Sequence, residues 1–182
     1  MVSIPPRAKL EVVYRDKLVS VARFGNVIIA ATGSPHDTSR PGNASHPDLE
    51  ASRALHLRLR DEYPGGFAKL IITPGGSRML GTEEREHVNR LTREFAHSTL
   101  AIALVLEGQG VWLSSMRVVV KAMMLALPSQ FPQQTFARVS EAAAWLFRQC
   151  GSAAAFDAPG LVAAAEAARP HSGQVVEQRL GT

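Results

Sequence analysis

Hydrophobic and polar positions change rhythm several times along this 182-residue chain, and each change marks an element. Residues 11–14 (EVVY), 18–24 (LVSVARF) and 27–31 (VIIAA) are short runs rich in β-branched side chains, separated by Asp16-Lys17 and Gly25-Asn26. Two-residue breaks of this kind predict tight turns, and so an antiparallel meander of three strands. Val19, Val21 and Arg23 alternate with Ser20, Ala22 and Phe24, so neither side is clearly polar and both can be covered. From residue 33 to 47 no apolar side chain larger than alanine occurs, which predicts a long exposed loop. Ser45 and Asp48 then resemble a capping box opening a helix that runs to Tyr63, where Pro64-Gly65-Gly66 stops it. Ala51, Leu55 and Leu59 form its inner stripe, and Arg53, His56 and Arg60 are placed on its solvent side. Residues 55–60 also alternate with period two, which leaves a strand open; the caps and the length favour the helix.

The stretch from residue 67 to 95 organises the rest. Leu70-Ile71-Ile72 is too short for a helix and stops at Pro74-Gly75-Gly76, after which a periodic segment begins at Thr82 with Glu83 and Glu84 behind it. Proline lacks a donor and glycine admits positive φ, so the pattern predicts strand, tight loop and capped helix. The two glutamates oppose the positive end of the helix dipole. Val88, Leu91 and Phe95 mark the inner side of this second helix. Residues 100–106 (LAIALVL) form an unbroken apolar run, as expected of a strand covered on both faces.

A third helix is predicted over residues 111–127. Trp112, Met116, Val119, Met123 and Leu127 make one stripe beside a second of Leu113, Val120 and Met124, which predicts a core helix or one covered by a partner. Thr135-Phe136-Ala137 reads as a short edge strand, and Ser140 as the cap of a last helix that ends at Gly151. Residues 151–182 are rich in alanine and glycine and read as a tail with a short helix over 161–168. The predicted organisation is a flexible 1–9, an α/β domain over 10–150 and that tail. The domain has a mixed sheet of about five to six strands, meander first and then helix and strand alternating, faced by four helices.

Composition narrows the function more by exclusion than by signal. Net charge is +4, but 20 basic residues are set against 16 acidic ones and no lysine block occurs, which argues against nucleic-acid binding. The single cysteine, Cys150, and the two prolines near the start lead us to expect a cytoplasmic protein without a secretion signal. Glu107, Arg117 and Lys121 interrupt the most apolar region, so no membrane span is expected. His36, Asp37, His46 and Asp48 lack the spacing of a ligand set, and neither metal nor cofactor is expected. Gly75, Gly76, Ser77 and Arg78 sit where amides and a guanidinium could hold a phosphate, yet no Lys-Ser or Lys-Thr follows as in a nucleotide loop. No Gly-x-Ser-x-Gly surrounds Ser77 either.

Three segments together resemble the STAS domain, and its SpoIIAA-like branch in particular: residues 25–29 (GNVII), residues 68–73 (AKLIIT) and the ending at residues 136–146 (FARVSEAAAWL). The resemblance covers about residues 10–150. It implies a mixed sheet faced by helices, no catalysis, and a protein partner met at the loop and helix after the central strand. Where antagonists of that family carry a phosphorylated serine after an aspartate, this chain has residues 74–82 (PGGSRMLGT), with Ser77 and Thr82 the hydroxyls available and no aspartate. The expected function is a non-enzymatic regulatory or scaffolding module that binds a partner or itself. Its surface is expected at Gly75, Gly76, Ser77, Arg78, Thr82 and Arg85, with Trp112, Met116 and Met123 as a dimer or ligand face. A small carrier or sensor of an apolar or anionic ligand is the alternative. An enzyme acting on a phosphorylated compound is a third reading.

Overall fold

The computed structural model describes residues 8–33, 47–75, 82–108 and 130–170, without the side chains of 47 and 82–85. Six strands lie in one sheet in chain order. They are β1 (Leu10–Arg15), β2 (Val19–Phe24), β3 (Val27–Thr32), β4 (Phe67–Thr73), β5 (Thr99–Leu106) and β6 (Gln133–Phe136). β1, β2 and β3 pair antiparallel, whereas β3, β4, β5 and β6 pair parallel. The helices among the described residues are α1 (Pro47–Glu62), α2 (Thr82–Glu94), α3 (Val139–Cys150) and α4 (Ala158–Ala167). An α/β fold with a six-stranded mixed sheet is therefore what the alternating pattern builds. The predicted helix over 111–127 lies outside the described residues, and so does most of the loop over 33–47.

Both turns of the meander fall where the dipeptides predict them. The Asp16 carboxylate accepts from the Leu18 and Val19 amides at 2.7 and 2.6 Å, closing the first turn. The second turn needs positive φ at Gly25 (57°), and a Cβ there would stand 2.1 Å from the Ala155 carbonyl oxygen. Beside it, fully buried Asn26 donates to the Gly66 and Ala153 carbonyls and accepts from the Ala155 amide. One side chain thus ties the meander, the entry to β4 and the segment after α3 together.

Side-chain alternation divides the core in two. On one face Ala22, Phe24, Val27, Ile29, Ala31, Ala68, Leu70, Ile72, Ala101, Ala103 and Val105 pack against α3 and α4. On the other, Val13, Val21, Ile28 and Phe67 pack against Leu55 and Leu59 of α1 and Leu91 and Phe95 of α2. The crossovers β3–α1–β4 and β4–α2–β5 step the same way along the sheet, and crossovers of one hand place both helices on one face. A charge network fixes α1 to the meander: Arg23 reaches Glu11 at 2.7 Å and also Glu62, and Arg58 reaches Glu11 at 2.6 Å. Burial works against the Glu11 charge, yet Arg58 and Arg23 hold its carboxyl below the ordinary value.

Three expectations need correction. Residues 151–170 are not a tail: Leu161, Ala165 and Ala168 are fully buried, so the core runs past residue 150 through α4. The helix there opens at Asp157, whose carboxylate accepts from the Gly160 amide at 2.7 Å. Ser140 does not cap α3, which begins at Val139 with Arg138 as its N-cap and no side-chain cap bond. His56 does not face solvent; it is 3% exposed and lies against the sheet.

Candidate functional site

The carboxyl ends of β3, β4 and β5 point the same way because the three strands are parallel, and β4 lies between the other two. The loops that leave these strands therefore gather at one edge, where ligands and partners of such sheets are usually met. Thr32 donates through its hydroxyl to the Ile72 carbonyl at 3.3 Å, and the Glu107 amide donates to the Thr73 carbonyl at 3.0 Å. These bonds carry the register to the last residues of the strands. Glu107 is held in turn by Arg169, whose two terminal nitrogens reach its carboxylate oxygens at 2.9 and 2.6 Å. Glu166 adds a 2.6 Å bond to Arg169 Nε. The bonds to Glu166 and Glu107 push the guanidinium's pKa up, so Arg169 stays a cation that pins the exit of β5 from beyond α4.

Of the residues expected to form the partner surface, Gly75 is described, half-buried directly after β4. Gly76, Ser77 and Arg78 lie outside the described residues, as do Trp112, Met116 and Met123. Thr82 and Arg85 fall in the first turns of α2, and their side chains are not described. Beyond them α2 exposes Glu86, Asn89, Arg90 and Arg93. Arg53 of α1 bonds Glu94 at 2.7 Å, which ties the outer faces of the two helices. Among the described residues no group of three His, Cys, Asp or Glu side chains could hold a metal ion. None of their helices is long and apolar enough to cross a membrane.

Beneath α1 and α2 lies a second arrangement that the sequence pattern did not announce. Period-two alternation puts Phe67, Lys69 and Ile71 on the face those helices cover. Lys69 is 7% exposed and is paired in the sheet with Ile28 and Ile102. His56 lies 5.4 Å from the Phe67 ring and 5.0 Å from the Phe95 ring, centroid to centroid. Its Nδ1 is 2.6 Å from the Ser52 carbonyl oxygen, an acceptor, so Nδ1 carries the hydrogen and Nε2 keeps the lone pair. Nε2 is buried and has no hydrogen-bond partner. Burial pushes the Lys69 ammonium down to about 8. Burial, with the Lys69 charge beside it, pushes the His56 imidazole down to about 3, against the bond to Ser52. The sequence carried one signal for this pair, a lysine in phase with Phe67 on a strand bounded by apolar neighbours.

The fold and this geometry define an α/β module with a clear carboxyl edge. Comparison of the chain with family models, with curated proteins and with solved structures returns no match.

Proposed function

We propose that this chain is a non-enzymatic regulatory or scaffolding module, STAS-like in its organisation, that binds a protein partner or a second copy of itself through the loop and helix after β4. The observation that supports this reading is the place of β4 between two parallel neighbours, which delivers Gly75 and the amino end of α2 to the carboxyl edge of the sheet. An exposed polar helix face, Glu86, Asn89, Arg90 and Arg93, continues from that junction. Glu107, at the end of β5, is taken up by Arg169 and serves to hold the edge in shape. An edge that presents Gly75 and a charged helix face suits contact rather than bond chemistry.

A photo-crosslinking amino acid placed at position 78 tests this, with position 147 on the α3 side as control. A discrete protein adduct, or a dimer, is expected from position 78 and not from 147, and Arg85→Glu in the same chain is expected to remove it. Equal adducts from both positions, or none from 78, would contradict the reading.

A further inference from the structure

His56 is 3% exposed in the layer between the sheet and α1–α2, and its Nδ1 hydrogen goes to the Ser52 carbonyl one turn back on α1. Its Nε2 is buried, and among the described residues nothing bonds it. The ring instead meets Phe67 of β4 in a T-shaped contact, with 87° between the planes, and Phe95 of α2 at 40°. Phenyl rings offer no oxygen or nitrogen to a second N–H. The neutral imidazole therefore suits this layer, and the imidazolium does not.

The surrounding elements do not supply what the rings lack. β1, β2 and β3 send Val13, Val21 and Ile28 into the layer, and β5 sends Ile102 opposite Lys69. Lys69, two residues from Phe67 on the same strand face, is itself basic and opposes a second positive charge. On α1, Arg53, Arg58 and Arg60 bond Glu94, Glu11 and Asp61 at the margin. Buried Asp48 lies eight residues before His56, about 12 Å along the helix axis. α2 adds His87, two turns before Phe95 on the same stripe, while its Arg90 and Arg93 are exposed. Tyr14 and Tyr63 border the cluster.

A proton on Nε2 reaches water only if α1 lifts from the sheet, and the two faces resist lifting unequally. α1 and α2 rest on the smaller apolar cluster, around Leu55, Leu59 and Leu91, whereas α3 and α4 share the larger one. The 2.7 Å pair between Arg53 and Glu94 is an exposed tie of the kind that adds little. Layers with less buried apolar surface open first. We propose that His56 is an acid switch: proton uptake at Nε2 releases α1 from the sheet while the α3–α4 face stays packed. The imidazole titrates at about 3 when closed and at 6.5 when open to water. The closed value is the lower one, so closure is fully favoured above pH 6.5 and loses ground tenfold per pH unit below it. By pH 4.5 the open population should rise about a hundredfold. The inference is independent of the docking surface proposed above.

Amide hydrogen exchange on the full chain, read residue by residue as protection factors between pH 7.5 and 4.5, tests this. Protection at Leu55 and Leu59 should fall about a hundredfold with an onset near 6.5, while Leu146 and Leu161 keep theirs. That onset lies above the range in which exposed carboxylates titrate, so the marginal ion pairs do not imitate it and the unaltered chain suffices for the reading. His56→Phe should flatten the profile. An equal fall at Leu146 and Leu161, or no fall at Leu55 and Leu59, would overturn the switch. A profile unchanged in His56→Phe, or flattened by His87→Phe instead, would overturn the role of His56.

Discussion

On the side of α3 and α4 the sheet offers Ala22, Ala31, Ala68, Ala101 and Ala103, and the helices fill the space above with Trp145, Leu146 and Leu161. On the side of α1 and α2 the same strands offer Phe67 and Lys69, and the helices answer with Leu55, His56 and Phe95. The first face is an apolar joint in which small strand residues let large helix residues sit close. The second buries most of two basic side chains, Lys69 and His56. Packing alone accounts for the first, whereas burying basic side chains costs stability on the second. Five expected outcomes sharpen or break this contrast.

The largest concerns α4. A chain ended at Asp157 loses Leu161, Ala164, Ala165 and Ala168 from the apolar face and is expected to lose cooperative thermal unfolding altogether. An unchanged melting transition would show that the alanine face does not need its second helix. Next, Leu146→Ala removes a fully buried side chain from that face and should cost about 2–5 kcal/mol, read from urea midpoints.

On the other face the sign reverses. Lys69→Met should stabilise the protein at pH 7 by on the order of 3 kcal/mol, because a shift from 10.5 to about 8 weighs roughly 1.4 kcal/mol per unit. The folded value lies below the unfolded one, so the penalty is full below pH 8 and gone above 10.5; the advantage of the variant should shrink across that window. His56 follows the same rule lower down. Its penalty is absent above 6.5 and grows as pH falls toward 3, so His56→Phe should lose acid sensitivity in that range. The smallest effect belongs to Ser140→Ala, expected within about 0.5 kcal/mol because the hydroxyl makes no cap bond, where a true cap would cost about 1 kcal/mol.

Much of the fold was legible because its signals are local. Gly25-Asn26 and Asp16-Lys17 mark turns by their own backbone chemistry, and runs such as residues 100–106 mark covered strands by length and composition. α4 was less legible, because alanines on every side leave no amphipathic contrast; what buries them is the sheet face, itself made small by five alanines. His56 was misplaced for a related reason. It neighbours Leu55 and Leu59 on α1, and a stripe drawn through the leucines alone is too narrow for a helix lying flat on a sheet beside a second helix. Lys69 could be put in phase with Phe67, but whether that face is covered depends on α1 and α2 together, which no single element reveals. At the carboxyl edge the glycines and the helix start announced a junction, and the Arg169 clamp on Glu107, 62 residues away in sequence, did not.

The contrast between the faces rests on burial holding the Lys69 ammonium below its ordinary value. The direct test is an NMR titration of the Lys69 side chain in the intact protein, labelled at Cε and assigned by its loss in Lys69→Met. An inflection near pH 8 is the result the account predicts. An inflection near 10.5, the value of a solvated lysine, would show that burial leaves the ammonium unperturbed and would contradict it.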